Sequence, residues 1–159
     1  MNDRDLARAT AAGIMGTSTM TFFSYLASSA VGDNFREPVL LDGLIRGTLL
    51  PARSRIARPA GWALHYAMGC SLANLFHYSW KRSHTKPTLL RALLYGGCSG
   101  LAAIAWWHTA FRLHPNPPHV RMPFYIQLVA AHLIYSMSVA RVCSASVQSS
   151  IKTRRHEKK

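Results

Sequence analysis

The side chains here with the most chemical potential are histidines set among apolar residues. His65 lies in Gly-Trp-Ala-Leu-His-Tyr-Ala-Met-Gly (61–69), His132 follows Ala130-Ala131, and His108 follows Trp106-Trp107. A neutral imidazole offers one donor and one acceptor nitrogen, titrates near neutrality and ligates transition metals. His65 and His132 stand at similar positions in two apolar stretches, which makes them candidate axial ligands of a haem b held between helices. With His108 they could instead form a transition-metal site or a proton relay. In the plainer alternative each ring hydrogen-bonds a neighbouring helix, as polar side chains do inside a bilayer. His77, Asn74 and Gln127 also fall in uncharged stretches and are expected to face a bundle interior. His114 and His119 flank the prolines of His-Pro-Asn-Pro-Pro-His, where a solvated loop is a simpler reading than a metal site.

Familiar catalytic sets are missing. The chain has no phosphate-cradling glycine loop with a lysine, no Ser/His/Asp set and no paired carboxylates, so enzymatic activity is not expected. The acidic residues Asp3, Asp5, Asp33, Glu37, Asp42 and Glu157 all lie outside the apolar stretches, which speaks against a carboxylate-driven cation carrier. Cys70, Cys98 and Cys143 form no CxxC motif, and their odd number argues against a disulfide framework.

The elements that must position the histidines follow from where charge is absent. No Asp, Glu, Lys or Arg occurs in 9–32, 59–80, 92–111 or 122–140. A helix of roughly 20 residues crosses the roughly 30 Å hydrocarbon layer. The spacing therefore predicts an all-α protein, a four-helix transmembrane bundle with spans at about 9–31, 59–80, 88–111 and 123–142, forming one domain over 1–143. Between the first two spans, Leu40, Leu41, Leu44, Ile45 and Leu49 recur with helical period, which predicts a short interfacial amphipathic helix over about 38–50. Residues 144–159 read as a basic, mobile tail. The opening Arg4 and Arg8 before an apolar run resemble a secretory signal, but the run is long and begins with small residues, so a retained first span is expected.

The net charge of +13 is distributed beside the spans, at Arg8, Arg58, Lys81, Arg82, Arg91, Arg112, Arg121 and Arg141, rather than along one face of an element. That is the pattern of headgroup contacts and of orientation, not of nucleic-acid binding. With both termini in the cytoplasm the inner side holds twelve Lys and Arg against seven outside, so that orientation is expected. Trp62, Trp80, Trp106 and Trp107 near span ends fit an aromatic belt.

Small residues are placed for close helix packing: Gly13 and Gly16 in the first span, Gly69 in the second, Gly97 and Gly100 in the third. The Gly-x-x-Gly pairs of spans one and three, and the single outer-half histidines of spans two and four, suggest a duplicated helical hairpin.

Gly-Ile-Met-Gly-Thr-Ser-Thr-Met-Thr (13–21), the 61–69 segment, the Leu-Leu-Arg-Ala-Leu-Leu-Tyr-Gly-Gly run (89–97) and the His132–Tyr135 region together resemble a group of small bacterial inner-membrane proteins of uncharacterised function. The resemblance implies a four-span bundle in a cell inner membrane and brings no known activity with it. The expected role is therefore that of a non-enzymatic, structural or accessory membrane protein, a homo-oligomer or a subunit of a larger assembly in the lipid bilayer. A haem- or metal-binding protein and a small carrier or channel are the alternatives.

Overall fold

The computed structural model describes residues 3–117 and 122–156, with side chains as far as Ser144; His119 lies outside the described residues. Among them the chain is all-helical: α1 (Asp3–Val31), α2 (Glu37–Ile45), α3 (Ala57–Arg82), α4 (Leu89–Leu113) and α5 (Met122–His156). The helix ends follow from local chemistry. Gly32, with φ of 79°, turns the chain out of α1. Pro38 sits in the first turn of α2, where its missing N–H costs nothing. The Thr88 side chain accepts from the Arg91 amide to cap α4.

α1 lies between α3 and α5, and α4 packs on the far side of α5, so the four long helices run in the order α3, α1, α5, α4. Small residues make the contacts possible. A Cβ added at Gly13 would lie 2.7 Å from Cys70 Cα, and one at Gly16 would lie 2.8–2.9 Å from Val139 and Tyr135. Gly69 faces Thr17, and Gly100 faces Val129. Gly97 is different: a side chain there would meet nothing within 4 Å, and its neighbour Gly96 makes the approach to His132 and Leu133 instead. The helix turns 100° per residue, so adjacent glycines cannot both face α5.

α3 and α4, the two outer helices of the row, meet mainly at one end. There Tyr95 Oη pairs with Ser79 Oγ at 2.5 Å, and its ring lies 4.9 Å from Phe76 and 5.5 Å from Trp80. At the opposite end α2 crosses α3 so closely that a Cβ on Gly61 would sit 2.7 Å from Pro38 O. His114 Nε2, just past α4, donates to Arg46 O at 3.0 Å and ties that helix to the end of α2.

Two sequence expectations change. The interfacial helix over 38–50 is shorter and packs inward: α2 stops at Ile45, because Arg46 is extended and Gly47 has φ of 81°. Leu40, Leu41 and Ile45 are buried, whereas Leu49 is beyond the helix and exposed. The last helix also continues past the expected boundary at 142, as far as His156. Among the described residues, α4 and the Met122–Ser144 part of α5 are long and apolar enough to cross a membrane. α1 and α3 are as long, but serine, threonine, glycine and histidine dilute them.

The glycine geometry has a direct consequence for stability. Gly13→Ala places its methyl against backbone that cannot yield, and the strain is expected to cost about 1–3 kcal/mol. Gly97→Ala meets nothing and gains up to about 1 kcal/mol of helix propensity. Thermal unfolding should therefore show a lower Tm for Gly13→Ala and an unchanged or higher one for Gly97→Ala.

Candidate functional site

Between α3 and α4, where those helices part, lies a cavity of about 1120 Å³. α1 and α5 form its back wall through Thr17, Met20, Leu128, His132 and Tyr135, and α2 contributes Glu37 and Leu41. Tyr95 and Phe76 border it at the end where α3 and α4 meet. Its mouth is apolar: Leu64, Met68, Leu75, Leu94 and Trp106 line the cavity and are exposed on the outside of the molecule.

The polar wall rests on hydroxyls of α1 spaced along one face. Thr21 Oγ1 donates to Thr17 O at 2.7 Å and lies 2.8 Å from His65 Nε2. A threonine hydroxyl has one hydrogen, so His65 Nε2–H is the donor to Thr21, and Nδ1 keeps its lone pair. His132 Nδ1 is 2.8 Å from Leu128 O, a pure acceptor, so there Nδ1 carries the proton and Nε2 is the free nitrogen. Tyr135 Oη donates to Gly69 O at 2.6 Å.

One turn beyond Thr21, Ser24 Oγ sits 2.8 Å from Glu37 Oε1 and accepts from Gln127 Nε2 at 2.7 Å. Glu37 is 2% exposed, and its partners are this hydroxyl and amide rather than any lysine or arginine among the described residues. Its Oε2 has no hydrogen-bond partner, and neither do the buried Gln127 Oε1 and Thr17 Oγ1. Removal from water pushes the Glu37 carboxyl up to about 7, because the hydrogen bonds from its own backbone N–H, Ser24 and Gln127 offset only part of the desolvation.

The structure thus brings His65, His132 and Gln127 into the interior and leaves other candidates elsewhere. His108 is exposed on α4 and does not join the two cavity histidines. His77 stands at the far end of α3, 3.8 Å from Asp5 Oδ1, with Lys81 Nζ 2.5 Å from Oδ2 of the same carboxylate. Asn74 donates to Cys70 O at 2.8 Å and is bonded to Thr10, so it joins α3 to α1. His114 bonds the backbone of Arg46. Among the described residues no three His, Cys, Asp or Glu side chains are placed to hold a metal ion. A haem ligated through Nε2 of both His65 and His132 would require His65 to release Thr21.

Glu37 is the residue that sequence reasoning missed. It reads as a surface carboxylate because it lies outside the apolar stretches and precedes a short helix. Nothing in its spacing announces that α2 folds inward. The available signal is indirect: Ser24 and Ser28 lie on one face of α1, and Ser28 Oγ accepts from the Phe35 amide at 2.9 Å, which directs the connection back into the bundle.

Burial of Glu37 links stability to pH. Its folded-state affinity for a proton exceeds that of the unfolded chain, so the stabilisation is fully present below pH 4.5 and is lost as pH rises towards 7. The displacement from 4.5 to about 7 corresponds to roughly 3 kcal/mol. Glu37→Gln keeps the shape and the bond to Ser24 while removing the titration. In melting curves collected from pH 5 to 8, the variant should gain several degrees over the native protein at pH 8 and little at pH 5.

Comparison with protein families, curated proteins and solved structures finds no match, so the function of this site rests on its own geometry.

Proposed function

We propose that the chain is a four-span protein of a bacterial inner membrane, with α1, α3, α4 and α5 crossing the bilayer, both termini in the cytoplasm, and a non-enzymatic, accessory role within a membrane assembly. One observation carries this reading: the polarity of α1 and α3 is turned inside out. Their polar residues Thr17, Thr21, Ser24 and His65 are buried, whereas Met15, Phe22, Leu26, Met68 and Leu75 are exposed. Contiguous exposed apolar surface of this kind is unfavourable in water and suits lipid. The hydroxyls of α1 lower its hydropathy without meeting lipid, because Thr21 and Ser28 donate to the carbonyl four residues earlier and Ser24 donates to Glu37.

The basic residues support the orientation, being more numerous on the side of the termini. A duplicated hairpin is supported by the equivalent packing of α1 on α3 and α4 on α5, and by His65 and His132 bordering one cavity. In such a pair of repeats the contact of α1 with α5 has its counterpart between α3 and α4, the interface that opens into the cavity. An accessory role draws support from α4, whose outer face offers Gly97 with no side chain opposite it, beside exposed Leu94 and Leu101. Small residues on a lipid-facing surface allow another helix to approach.

Reporter fusions separate four spans from two. Fusions after Ala52 and Asn116 should report export, and those after Thr85 and Lys159 should report the cytoplasm. If Ala52 and Thr85 report the same compartment while Asn116 reports the other, only α4 and α5 cross and the reading fails.

A further inference from the structure

We propose that the cavity between α3 and α4 binds a protonated amine bearing one apolar chain or ring, with its ammonium group at Glu37 and its apolar part between the two helices. The inference rests on the membrane-embedded reading, since the mouth then opens sideways into lipid.

The polar atoms left without protein partners select the head group. Glu37 Oε2 is sealed and unpaired, and Thr17 Oγ1 on the same wall is unpaired too. His65 Nδ1 and His132 Nε2 are acceptors by the tautomers that Thr21 and Leu128 O impose. In these tautomers both imidazole nitrogens can only accept, and so can the Glu37 carboxylate once ionised. An ammonium group brings three donors and no acceptor, whereas a phosphate, carboxylate or ester would add acceptors to a site already rich in them. The formal charge agrees: no lysine or arginine among the described residues ion-pairs with Glu37, and a cationic head supplies the missing partner. Tyr95, Trp106 and Trp107 give the cavity aromatic faces, against which a cation is also favourable. The volume, about 1120 Å³, is slightly above the roughly 300–1,000 Å³ usual for ligand sites. Ethanolamine lipids carry an ammonium as well, but the adjoining phosphate would have to enter the acceptor-rich wall, so a single-chain amine is the better occupant.

Binding is coupled to a proton. Below neutrality Glu37 is protonated, and docking of an alkylammonium ion displaces that proton to solvent: ammonium plus carboxylic acid gives the ion pair plus one H⁺. The titratable groups facing Glu37 across the cavity are His65 from α3, His132 and Tyr135 from α5, and Tyr95 and Cys98 from α4, while α1 presents none. Affinity is expected to fall about tenfold per pH unit below the Glu37 midpoint and to be level above it, until the amine itself deprotonates near pH 10.

The test uses the full chain in phosphatidylcholine nanodiscs, titrated calorimetrically with decylammonium and corrected with empty discs. Saturable one-site binding is expected, with about one proton released per ligand at pH 6. Glu37→Gln should weaken binding at least tenfold and abolish the proton release. Ala102→Trp, which fills the cavity from α4 without touching Glu37, should weaken it as well. Decanol and decyl sulfate should compete poorly, and discs containing phosphatidylethanolamine should leave the affinity unchanged. Equal competition by decanol, decyl sulfate or the ethanolamine lipid would overturn the proposal. So would native-like binding by Glu37→Gln, or the absence of saturable binding by folded, disc-inserted protein. The last outcome leaves the topology standing, because the fusion reporters measure it independently.

Discussion

The fold depends on how near other backbones can come to α1. On the proposed four-span reading no hydrophobic force draws the helices together in lipid, so association relies on close van der Waals contact and on hydrogen bonds between them. Ala9, Ala12, Gly13, Gly16 and Thr17 give α1 a buried face without bulk, and α3 and α5 settle on it from two sides. Gly96 and Gly100 do the same for α4 on α5. No comparable face joins α3 to α4, where bulky Leu64, Met68, Leu94 and Trp106 stand opposite each other's helix. Tyr95 pins those helices at one end, and the remainder parts. The cavity is therefore a consequence of where the small residues are, not a separate feature of the fold.

The same helix carries the hydroxyls that make the interior polar. Ser28 turns the connection inward through the Phe35 amide, Ser24 receives Glu37, and Thr21 fixes the ring of His65. Thr21 and Ser28 each satisfy a carbonyl of their own helix and still reach a neighbour, and Ser24 gives its one proton to Glu37 while accepting from Gln127, which is how α1 tolerates such side chains away from water. The arrangement stops short of full satisfaction. Oxygens of Glu37, Gln127 and Thr17 remain unpaired, and burying a carboxylate without a cation is among the costliest things a fold can do.

Much of this was legible from residues alone. The charge-free intervals placed the four long helices, each of which lies over one such interval. His65, His132 and Gln127 were recognisable as interior groups because they fall within those intervals. Other residues were not legible. Gly96 and Gly97 are adjacent and chemically identical, and only the rotation of α4 decides which of them faces α5. His108 shares its composition context with the cavity histidines, yet the helix presents it outward.

The sequence by itself determined the helical class, the positions of the long helices and the inventory of polar side chains, since these follow from local periodicity and from long stretches without charge. Tertiary structure alone decided that α2 folds inward, that Glu37 loses its water, and that His65 and His132 share a wall while His108 does not. Those outcomes depend on helix rotation and on contacts between residues far apart in the chain, such as Gly61 with Pro38 and Ser24 with Gln127, and no local pattern encodes them.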